Sequence, residues 1–121
     1  MEQNSEHSMH TASSILVCGQ NSELLRTRGL VLESAGYRVE TALGSMAEVT
    51  GLSTIKVAVL CHTLSEADQQ MTLALLARHA PHARALCLVP AAGSVPSGTE
   101  SLDSFQGPRK LLEVVNRLFI A

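Results

Sequence analysis

The chain has 121 residues, one domain's length, and its 45% hydrophobic and 17% charged content excludes disorder as its general state. A formal net charge of −2, with 9 Lys and Arg scattered along the chain, excludes the basic face that nucleic-acid binding requires. No run approaches the roughly 18 apolar residues of a membrane span, and the polar start carries no secretory pattern, so a cytoplasmic protein without a membrane partner is expected.

Residues 1–13 (MEQNSEHSMHTAS) show no apolar period and are expected to form a flexible tail ahead of a single domain over residues 14–121. His7 and His10 stand in that tail with no further ligand pattern, so solvated imidazoles are the plain reading. SILVC is a short apolar run closed by Gly19 and reads as the first strand. Asn21 or Ser22 then caps a helix, with Glu23 favourably placed in its first turn. Leu24, Leu25, Val31, Leu32 and Ala35 recur at helical spacing and predict its buried face, and Gly36 ends it. YRVETA alternates as a second strand does.

Ser45 and Glu48 form a capping-box pair that predicts a short helix ended by Gly51. KVAVLC and RALCLV are continuous β-rich runs, the pattern of strands covered on both faces. Between them a helix is predicted from about Ser65 to Ala80, with Ala67, Met71, Ala74 and Leu75 inward, stopped by Pro81. Residues 90–101 are rich in Pro, Gly and Ser and read as a loop, followed by a short strand near Leu102–Phe105. The last helix starts around Pro108 and turns Leu111, Leu112, Val115, Leu118 and Phe119 inward. Strands alternating with helices imply a parallel sheet with helices on both sides.

With this order in place, the stretch ILVCGQNSELLRTRGLVLESAGYRVETALG resembles the opening of response-regulator receiver domains, and its Gly36-Tyr37-x-Val39 step most of all. VAVLCHTLSEAD resembles that family's third strand and the loop after it, and LLEVVNRLF its final helix. The resemblance covers about residues 14–120. It implies a flavodoxin-like (CheY-like) α/β fold, a doubly wound parallel five-stranded sheet in the order 2-1-3-4-5, with the functional crevice between strands 1 and 3. The short, helix-breaking stretch after Pro90 implies a fourth helix that is shortened or absent.

Receivers hold Mg²⁺ with an acidic pair after strand 1 and an aspartate after strand 3, which also accepts the phosphoryl group. Mg²⁺ needs hard oxygen ligands and the acceptor must be a carboxylate. The resemblance places Gly19 and Gln20 at the acidic pair, Cys61 at the acceptor, Pro90 at the hydroxyl residue after strand 4, and Ser104 at the lysine after strand 5. All five positions of this degenerate phosphorylation pocket depart from the family. The expectation is a pseudo-receiver: a non-enzymatic regulatory module without metal or cofactor, acting on a protein partner in a two-component, phosphorelay-type pathway, with a homodimer left open.

Other readings of single residues are weaker. Cys61 beside His62 could suggest an activated thiol, but consecutive strand residues point to opposite faces and no acid orients the imidazole. A small-molecule or thiol-redox sensor using the vacated crevice around Cys61 is the alternative, and it requires an accessible Cys61 in an open cavity. Cys18, Cys61 and Cys87 include no C-x-x-C pair and read as small buried hydrophobes of a reduced protein rather than metal ligands. GQNSE has one glycine and no Walker lysine, which leaves at most a small anion niche at a helix N-terminus. Arg109 and Lys110 open the last helix against the dipole preference, as a solvated end or an answer to an acidic partner.

Overall fold

The computed structural model describes residues 14–44, 52–89, 99–103 and 107–120. Its elements in chain order are β1 (Ser14–Gly19), α1 (Ser22–Ser34), β2 (Val39–Leu43), a 3₁₀ turn (Leu52–Thr54), β3 (Ile55–Leu60), α2 (Glu66–His79), β4 (Arg84–Val89), β5 (Glu100–Asp103) and α3 (Pro108–Ile120). The five strands form one sheet in the order β2-β1-β3-β4-β5, parallel throughout.

The strands alternate their side chains between two apolar layers, which is why they read as unbroken apolar runs. Ile15, Val17, Val59 and Leu88 face one layer, closed by Leu25 and Leu32 of α1 and by Leu111, Val115 and Leu118 of α3. Leu16, Cys18, Leu60 and Cys87 face the other, where α2 contributes Leu76. Local signals fix the helix ends. Asn21 accepts the Leu24 amide at 3.0 Å, and Ser65 accepts the Asp68 amide at 3.1 Å. At the end of α1, Gly36 sits at φ +98° while its amide bonds Glu33 and the Tyr37 amide bonds Leu32, a Schellman closure that turns the chain toward β2. Tyr37 then stacks on Phe119 with ring centroids 5.0 Å apart and donates its hydroxyl to Asn116, joining the end of α1 to α3.

Several helical faces differ from the sequence expectation. In α2, Ala67, Met71 and Ala74 are exposed, Met71 by 50%, and Leu75 is only partly buried; Thr72 and Leu76 are the inward pair. Apolar residues run almost all the way round this helix, so spacing alone cannot select a face, and docking on the sheet selects it. In α1, Ala35 is exposed and Leu24 and Val31 only half-buried, while Gly29 is buried. Its missing side chain is filled by β2: a Cβ there would lie 3.5 Å from Thr41 and 3.7 Å from Val39. The last strand begins earlier than expected, because Glu100 and Ser101 already pair with Leu86 and Cys87 of β4. The short helix expected between Ser45 and Gly51, the tail over 1–13 and most of the loop over 90–101 with the eroded helix lie outside the described residues.

Candidate functional site

In an open parallel sheet the crevice forms where the chain leaves neighbouring strands in opposite directions, here beyond the carboxyl ends of β1 and β3. Gly19 closes β1, Gln20 follows it, and Cys61 follows β3 with its amide donating to the Cys18 carbonyl at 2.8 Å. The fold therefore brings three of the five expected positions together. Pro90 and Ser104, just past the ends of β4 and β5, lie outside the described residues.

This crevice is closed by contact. A Cβ on Gly19 would stand 3.0 Å from Cys61 Cβ and 3.0 Å from Thr63 Oγ1, so the glycine is what lets the two strand ends approach. The Gln20 amide donates to Thr63 Oγ1 at 3.0 Å, and its side-chain Nε2 donates to Asp68 Oδ2 at 2.7 Å. Asp68 sits in the first turn of α2, where the helix N-terminus favours its charge. Gly44, held at φ +87°, bonds its amide to the Gly19 carbonyl and leaves room beside the Gln20–Asp68 pair. The backbone and side-chain amides of Gln20 in the anticipated anion niche are thus engaged internally, and Leu24's amide is taken by Asn21.

Cys61 is 2% exposed, and burial pushes its thiol pKa up while the Arg28 guanidinium, which reaches it from α1, pulls in the other direction. A thiol that is buried and held protonated is a poor nucleophile, which removes the accessible Cys61 that a redox sensor needs. His62 is exposed. Burial also raises Cys18, to about 12, and Cys87. All three thiols are free; Cys18 and Cys87 belong to the α2 layer and Cys61 to the opposite one. Among the described residues no group of three or more His, Cys, Asp or Glu could hold a metal ion.

The open space lies next door. A cavity of about 200 Å³ separates α1 from the start of α3, over the ends of β4 and β5, and Arg28 lines it. Sequence spacing carried a signal for Arg28, which falls four residues after Leu24 and three after Leu25, a charge on the apolar face of α1. Thr63 and Asp68 carried none toward Gln20, since 43 and 48 positions separate those partners.

No protein-family model and no curated protein matches the sequence. Solved structures do. A CheY-like response-regulator receiver domain protein from Methanospirillum hungatei superposes with TM-score 0.72 at 18% identity, covering 89% of this chain and 94% of that one. The chain has the receiver fold. A pilus assembly-related protein from Burkholderia pseudomallei is similar at TM-score 0.71 and 22% identity, covering 91% of each chain. A pilus assembly protein from Burkholderia thailandensis is similar at TM-score 0.72 and 20% identity, covering 90% and 99%. On this receiver fold, the described crevice has one carboxylate, Asp68, and it is bound to Gln20. No helix among the described residues is long and apolar enough to cross a membrane.

Proposed function

We propose that the chain is a non-phosphorylatable receiver-like regulatory module that works by protein–protein contact and has no catalytic activity of its own. The observation that carries this reading is the occupied crevice: Cys61 packs where Gly19 has no side chain, and Gln20 donates from its backbone to Thr63 and from its side chain to Asp68. A thiol cannot form an acyl phosphate, and one engaged carboxylate is a poor site for Mg²⁺. A partner surface is supported by Leu30 and Leu43, exposed by 55% and 62%, which flank one groove between α1 and the β2 edge. The receiver fold points to a two-component-type signalling context in the cytoplasm. The similarity to pilus assembly proteins favours, within that reading, a partner that belongs to a protein-assembly machine.

The test is incubation with acetyl phosphate and millimolar Mg²⁺, followed by intact mass measurement. No gain of one phosphoryl group is expected. A stoichiometric, acid-stable and base-labile adduct overturns the proposal.

A further inference from the structure

The cavity between α1 and α3 is walled by Leu24, Val31, Leu88, Leu102 and Leu111, and it has two charged side chains in its lining, Arg28 and Asp103. Nη1 of Arg28 is buried and has no hydrogen-bond partner among the described residues, and the thiol that its guanidinium reaches, Cys61, is a weak acceptor. A buried donor left in this state costs free energy unless something accepts from it. Pro108, the first residue of α3, and Gly107 before it also line the cavity, so the positive end of a 13-residue helix borders it. That first turn holds no acidic residue and carries Arg109 and Lys110, of which Lys110 pairs with Glu113 at 3.4 Å. Cationic side chains at this end are unfavourable for the helix alone and favourable beside an anion.

We infer that this cavity is a binding site for a small carboxylate on a compact apolar body, with Arg28 as the group that recognises the carboxylate. The apolar walls take the body, and a guanidinium suits a carboxylate because it offers paired N–H donors in one plane. A volume of about 200 Å³ equals that of roughly seven waters at about 30 Å³ each, which sets the size of the ligand. Two sources share this chemistry: a simple branched carboxylic acid, and an apolar α-amino acid. The site lies beside the closed crevice and does not depend on phosphorylation, so it stands or falls apart from the pseudo-receiver reading.

The experiment titrates the purified chain with 4-methylpentanoate, with leucine and with the neutral 4-methylpentanamide, following backbone amide shifts by NMR. Saturable shifts confined to residues 24–31, 102–103 and 107–111 are expected for at least one of the two carboxylates, with the amide weaker by about tenfold or more, the loss expected when a charge-assisted hydrogen bond is removed. Tighter binding of leucine assigns the amino-acid source, and tighter binding of 4-methylpentanoate the simple acid. Arg28→Met should lower the affinity by about the same factor. Leu24→Trp, a change from a half-buried wall position, should abolish binding by filling the cavity and leaves Arg28 in place, so it decides the matter even where Arg28→Met fails to fold. Equal shifts with the neutral amide, unchanged binding in either variant, or no saturable binding of either carboxylate overturns the inference.

Discussion

The crevice at Gly19, Gln20 and Cys61 and the cavity at Arg28 lie side by side over the same sheet, yet they are built on opposite rules. In the first, the small residue removes space and each polar group named above has a partner: Gln20 with Thr63 and Asp68, and the Gly19 carbonyl with Gly44. In the second, large apolar residues leave space, and a guanidinium nitrogen has no hydrogen-bond partner among the described residues. The difference teaches that the crevice is closed by packing and internal hydrogen bonds while the side between α1 and α3 is left open. Where a receiver of the usual pattern has carboxylates around a cation, Cys61 here packs against Gly19, and Asp68 is bound to Gln20.

The largest expected effect comes from forcing the usual pattern back. Gly19→Asp must fit a side chain where Cys61 and Thr63 already stand 3.0 Å from the missing Cβ. A loss of about 1–3 kcal/mol is expected from overpacking. Urea unfolding with and without millimolar Mg²⁺ measures it. Recovery of that loss by Mg²⁺ would break the comparison, because it would mean that the crevice still has room for a metal and its ligands.

The second effect is alkaline. Burial raises the folded pKa of Cys18 from 9.0 to about 12, so between those values the unfolded chain gives up a proton that the folded chain keeps. Stability contributed by the neutral thiol is complete below pH 9 and falls as the pH rises through the window, by about 1.4 kcal/mol per pH unit. Cys61 and Cys87, raised in the same direction, add to the slope. Urea midpoints from pH 7 to 11 should fall less steeply in Cys18→Ala than in the parent chain. Identical slopes would mean that the thiol ionises in the folded state as readily as in the unfolded one.

The smallest effect sharpens the comparison at the rim. The Gln20–Asp68 bond is short at 2.7 Å but solvent-exposed, so its strength is screened. A double-mutant cycle with Gln20→Ala and Asp68→Ala should give a coupling of about 0.5–1 kcal/mol. A coupling near zero would assign the closure of the crevice to the Gly19–Cys61 packing alone.

How much of this was legible follows from the range of each signal. The strand order, the cap at Asn21 and the turn at Gly36 could be read, because each rests on a run or step of a few neighbouring residues. The inward face of α3 was legible too, since its apolar residues keep to one side: Leu111, Val115 and Leu118 are buried, with Leu112 and Phe119 packed against the same core. The sequence by itself determined the parallel receiver architecture. Only the tertiary structure decided which side of α2 turns inward, that Gly19 lets Cys61 and Thr63 close the crevice, that Asp68 serves Gln20, and that a cavity opens beside Arg28. Each of those outcomes depends on side chains brought together from distant parts of the chain, and short-range periodicity contains no term for the distance between them.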